Sequence, residues 1–167
     1  MKFCDLNLHD YIHPENSLAS SESISSFIRE ASSASSLQIW VVMNQIIIEV
    51  KYIHRKSHIH RDIKPANGAG FLFYDWFNYI VLYSCKDGLW KLANFGLTIE
   101  GSSRTNLLTQ YARRTQGYRA LEFLESNNEP TYTNKVDIWS MNCILYELAI
   151  GKYVFNFDWA FFLYRFS

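Results

Sequence analysis

Residues 58–68 read HIHRDIKPANG, and this short polar stretch decides how the rest of the chain is read. Asp62 is followed two residues later by Lys64 and five later by Asn67, on a turn stiffened by Pro65. A carboxylate there can take a proton from a hydroxyl. An ammonium can neutralise charge on a transferring phosphoryl group, and an amide carbonyl can ligate Mg²⁺. These are the positioning and electrostatic roles that phosphoryl transfer requires.

The flanks carry structure. Upstream, Ile39, Val42, Met43, Ile46, Val50 and Ile53 recur at helical spacing, so a buried amphipathic helix is expected from Gln38 to about Arg55. Downstream, VLYSCKDGLWKLA (81–93) reads as two short strands around a Lys-Asp-Gly turn. VDIWSMNCILYELAIG (136–151) has helical periodicity and a glycine stop, with Asp137 near its start, where a carboxylate suits the helix dipole. Residues 17–36 are half serine and read as a surface loop.

The totals exclude several classes. A chain of 167 residues with 49% hydrophobic and 17% aromatic residues has the composition of one folded domain, not of a disordered segment. A formal net charge of zero leaves no electrostatic footprint for nucleic acid or an anionic membrane. Cys4, Cys85 and Cys143 are odd in number and widely spaced, which suggests reduced thiols and a cytoplasmic or nuclear location. The start of the chain lacks the apolar core of a signal peptide, and FLFYDWFNYIVLY is too short to span a bilayer. His54 and His58 have a zinc-compatible i, i+4 spacing, but no fourth ligand lies nearby in sequence. GAGFLF (68–73) begins like a phosphate loop yet lacks a third glycine and follows the polar turn instead of opening a fold.

Together these motifs resemble the large C-terminal lobe of eukaryotic protein kinases. HRDIKPAN matches the catalytic-loop pattern His-Arg-Asp-x-x-x-x-Asn, with Lys64 marking the Ser/Thr class. NFG (94–96) stands where the family has Asp-Phe-Gly. GYRALE (117–122) resembles the Ala-Pro-Glu end of the activation segment, and MKFCDLNLHDYI resembles the hinge and the helix after it. The resemblance implies a mainly α (α+β) fold with a short β-hairpin beside the catalytic loop. It implies a partial domain running from the hinge to the helix after the activation segment, with the small lobe and the late helices outside residues 1–167.

The implied chemistry is ATP- and Mg²⁺-dependent phosphorylation of protein Ser/Thr hydroxyls. Asp62 would be the base and Lys64 the phosphate contact. Asn67 and Asn94 would stand at the metal sites, and the hinge residues Lys2 and Cys4 would join Lys64 and Asn67 in holding nucleotide. His60, Arg61, Phe95, Gly96, Thr115, Glu122 and Asp137 take structural or regulatory places, with Asp137 bracing the loop backbone. Ser102, Ser103, Thr105 and Thr109 are candidate phosphorylation sites that could pair with Arg61.

The departures matter as much. Asn94 replaces the metal-binding Asp, Arg114 a Gly, Leu121 the Pro of Ala-Pro-Glu, and Lys2 a hinge Glu. Asn142 replaces a Gly, at a cost of roughly 1–3 kcal/mol if that site is tightly packed. Thirteen residues, GAGFLFYDWFNYI (68–80), separate Asn67 from the hairpin, and six are aromatic. They read as an insertion, either a translated intron or a partner-docking insert. The expectation is a catalytically impaired chain. The alternatives are a non-catalytic pseudokinase module that binds proteins, and a truncated product without a role.

Overall fold

The computed structural model describes residues 6–13, 35–65, 80–108, 117–123 and 131–155. Three helices carry most of the core: α1 (Leu8–Ile12), α2 (Ser36–Arg55) and α3 (Lys135–Ile150). The strands are short: β1 (Leu6–Asn7), β2 (His58–Ile59), β3 (Val81–Ser84), β4 (Leu89–Leu92), β5 (Ile99–Glu100), β6 (Leu107–Leu108) and β7 (Thr131–Tyr132).

Helix α2 begins two residues earlier than its apolar spacing predicts, because Ser35 builds a capping box. Its hydroxyl accepts the Gln38 N–H, and the Gln38 side chain accepts the Ser35 N–H. The last residue of the expected serine loop, Ser36, therefore belongs to the helix, and Ser35 caps it. Helix α3 stops as expected at Gly151, whose φ of 69° closes the last turn with an N–H bond to the Glu147 carbonyl.

The expected hairpin forms with β3 paired antiparallel to β4, Val81 opposite Leu92 and Ser84 opposite Leu89. β1 joins the other edge of β3, giving the order β1-β3-β4. Two further antiparallel pairs, β2 with β5 and β6 with β7, tie the later chain back to the loop and to the entry of α3.

One expected boundary shifts. Ile80, counted as the end of the insertion, is fully buried, and its carbonyl accepts the Ala93 N–H at 2.8 Å, so it belongs to the hairpin. Residues 68–79 lie outside the described residues.

Two apolar clusters flank the polar turn. The larger joins α1, α2, the three-stranded sheet and α3 through Leu8, Ile46, Ile63, Val81 and Ile144. The smaller gathers Ile59, Ala120, Phe123, Tyr132 and Val136. Ile59 thus anchors the turn in one cluster and Ile63 in the other, and burying both fixes the direction of the residues between them.

Asn142 is exposed, so the crowding that a side chain could have caused there does not arise among the described residues. The apolar pattern of α2 extends all round the helix, leaving Leu37, Trp40, Ile48 and Tyr52 at 57–70% exposure. No helix among the described residues is long and apolar enough to cross a membrane.

Candidate active site

The turn is built on Asp137. This fully buried carboxylate accepts the backbone N–H of His60 at 2.9 Å and that of Arg61 at 2.7 Å, one on each oxygen. A third bond, 2.8 Å long, comes from His54 Nε2. His54 Nδ1 faces the Asn134 amide nitrogen at 3.3 Å, an arrangement that puts the ring proton on Nε2. His54 is therefore committed to Asp137, while His58 donates from Nδ1 to the Lys56 carbonyl at 2.7 Å. The two rings do not share a ligand. Three donors satisfy a carboxylate that would be costly to bury alone.

His60 is also fully buried. Its Nε2 donates to the Ala93 carbonyl at 3.1 Å, and the Phe95 ring meets it edge-on at a centroid distance of 5.3 Å. Burial lowers its pKa; Asp137, the Ala93 carbonyl and Asp62 oppose that shift, and Lys64 adds to it. Arg61 sits in left-handed backbone at φ 70°, with its Nε donating to the Leu97 carbonyl and its Nη1 to the Tyr132 hydroxyl at 3.0 Å. His60 and Arg61 thus bind the turn to the Asn94-Phe95-Gly96 segment.

Asp62 and Lys64, two residues apart, bring their side chains together. Lys64 Nζ lies 3.1 Å and 3.0 Å from the two carboxylate oxygens of Asp62. Both side chains are largely buried, at 13% exposure for Asp62 and 5% for Lys64.

Asn94 is exposed and left-handed, at φ 58° and ψ 67°, and starts a 3₁₀ turn over Phe95–Leu97. Asn and Asp are the side chains that best tolerate this conformation. An Asn is therefore compatible with this backbone and brings no charge to it. Gly96 follows in the turn, exposed. Glu122 lies half-buried in a second 3₁₀ turn, Leu121–Phe123. Lys2, Cys4, Asn67, Thr115 and Thr109 lie outside the described residues, as does Arg114.

Among the described residues, no three His, Cys, Asp or Glu side chains gather into a metal-holding group. The one described oxygen at an expected Mg²⁺ position is the neutral amide of Asn94. Mg²⁺ prefers carboxylates, so this amide by itself is a weak ligand for the ion.

Two residues, Tyr132 and Glu147, were not anticipated from sequence. Tyr132 reaches Arg61 from a strand too short to show periodicity. Glu147, fully buried in α3, pairs with His13 Nε2 at 2.9 Å and accepts the Tyr118 hydroxyl. A glutamate amid apolar residues was the available signal, because a buried carboxylate requires partners. Beside it, burial and the Glu147 charge push the Cys143 thiol up to about 12.

Comparison with known proteins agrees with this geometry. The protein kinase domain model matches residues 7–159. The mitogen-activated protein kinase pmk-2 of Caenorhabditis elegans is 34% identical over 129 residues, covering 72% of this chain and 28% of that protein. A probable cell division protein kinase of Encephalitozoon cuniculi is 37% identical over 116 residues, covering 69% of this chain and 31% of that protein. The chain thus spans less than a third of the length of either relative. A chain in the crystal structure of the yeast RNA Pol II CTD kinase CTDK-1 complex superposes with a TM-score of 0.67 at 21% identity, covering 96% of this chain and 44% of that one; this likeness shows the fold alone.

Proposed function

This chain belongs to the eukaryotic Ser/Thr protein kinase family, and from that premise we infer a kinase-type domain whose base is in place and whose metal site is impaired. The family reaction is phosphoryl transfer from ATP, with Mg²⁺, to protein Ser/Thr hydroxyls. Asp62 is the proton acceptor, and Lys64, already against it, is the cation for the phosphoryl group. Lys2 and Cys4 are assigned to nucleotide contact, and Asn67 to one metal position. The substrate is a protein, and the location cytoplasmic or nuclear.

The observation that carries the reading is Asn94, an uncharged side chain in left-handed backbone, a conformation that Asp also tolerates. General-base catalysis contributes only about 10²–10⁴-fold, and only on phosphates that are already positioned. Each 1.4 kcal/mol of electrostatic stabilisation lost at the metal costs about tenfold in rate. The surviving base does not compensate for that loss.

The test is incubation of the purified chain with Mg-ATP and a generic Ser/Thr protein substrate. No phosphorylation is expected. Robust turnover that is lost on Asp62→Ala would overturn the reading. A second reading, a non-catalytic protein-binding module, is favoured by one observation, the exposed apolar wall of α2.

A further inference from the structure

We propose that Tyr132 is a positioning residue of the catalytic loop: its hydroxyl holds the Arg61 guanidinium and, through it, the backbone that presents Asp62. The inference rests on the reading of Asp62 as proton acceptor. Among the described residues, Ser57, Arg61 and Asn94 are the non-glycine residues at positive φ. Ser57 immediately precedes the loop, Arg61 lies in it, and Asn94 lies in the turn bound to it. A left-handed arginine is strained, and such a conformation persists only where its surroundings over-determine it.

Asp137 fixes one side of Arg61 through its N–H at 2.7 Å. That bond leaves the direction of the side chain unset. Two acceptors set it, the Leu97 carbonyl and the Tyr132 hydroxyl, the latter 3.0 Å from Nη1.

These acceptors differ in their support. Leu97 belongs to an exposed turn beside Phe95, which is 49% exposed. Tyr132 is 2% exposed, with its ring 4.8 Å from that of Phe123. It pairs with Leu107 across β6 and β7, just ahead of α3, the helix that supplies Asp137. Arg61 is thus gripped at backbone and side chain by groups on either side of the entry to α3, and Asp62 is the next residue along.

The experiment uses the 167-residue chain with ¹⁵N-labelled arginine, the Arg61 signal being assigned with Arg61→Lys. Hydrogen exchange of the Arg61 guanidinium is expected to be at least tenfold slower than that of the exposed Arg104. Tyr132→Phe keeps the ring and removes the hydroxyl. It is expected to abolish the protection and to move the ¹³C carboxyl resonance of Asp62. Leu107→Ala weakens the same strand pair without touching the hydroxyl, and is expected to leave both signals in place.

The proposal is overturned if wild-type Arg61 exchanges as fast as Arg104, if Tyr132→Phe leaves it protected, or if Leu107→Ala has the same effect. The first comparison needs no variant that might fail to fold. None of these readouts requires phosphoryl transfer, so failure here is distinguishable from failure of the functional reading.

Discussion

At the scale of single residues, His60 does two jobs with one ring. It links the polar turn to Ala93 and meets the Phe95 ring edge-on. Burial holds its pKa below the ordinary 6.5, so it is neutral in the fold near neutral pH. In the unfolded chain the same ring takes a proton as the pH drops below about 6.5. His60 therefore favours folding above that pH, and the contribution is lost on acidification. Its slope is at most the roughly 1.4 kcal/mol per pH unit that one proton allows. Urea midpoints measured between pH 5 and 8 are expected to fall more steeply on the acid side for the wild type than for His60→Phe. Equal slopes would show that the ring titrates alike in both states.

At the scale of elements, Ile80 belongs with the hairpin that follows it. Ile80 and Val81 are both fully buried, and the bond from the Ala93 N–H to the Ile80 carbonyl extends the ladder by one position beyond Leu92. Ile80 is part of the larger core cluster, and removing a side chain of this kind typically costs about 2–5 kcal/mol. If residues 68–79 are foreign to the fold, deleting them while keeping Ile80 is expected to preserve or raise the melting temperature. Deleting 68–80 is expected to lower stability by that amount relative to the shorter deletion. Unfolding on the shorter deletion would show that the segment is integral.

At the scale of the molecule, α2 and α3 stand side by side with an open groove between them, about 750 Å³ in volume and walled by Trp40, Met43, Ile47, Ile138, Met141 and Leu145. Outside the groove, Leu37, Ile48 and Tyr52 add exposed apolar surface on the same helix, and exposed apolar surface of this kind drives association. The purified chain is expected to self-associate in light-scattering measurements. The double variant Trp40→Lys, Ile48→Lys changes two residues that are 65% and 57% exposed, and is expected to shift it toward monomer without loss of secondary structure. A monodisperse wild-type monomer with a sharp cooperative melt would count against this.

What the sequence determined by itself was local. Periodicity placed α2 and α3 to within two residues, the glycine at 151 marked a stop that only left-handed backbone makes easy, and alternation around Lys86-Asp87-Gly88 gave the hairpin. Those signals are legible because they depend on neighbours three, four or two residues apart. The catalytic-loop pattern also told which side chains to watch.

Only the tertiary structure decided how they are held. The bonds from Asp137 to His60 and Arg61 span 77 and 76 residues, and that from Arg61 to Tyr132 spans 71. Tyr132 lies on a two-residue strand, and His54 offered a metal-like spacing that it spends on a carboxylate instead. A hydrogen bond between distant segments leaves no period in the sequence. It exists because burying Asp137 without donors would be costly, and the packed clusters on either side bring the donors to it.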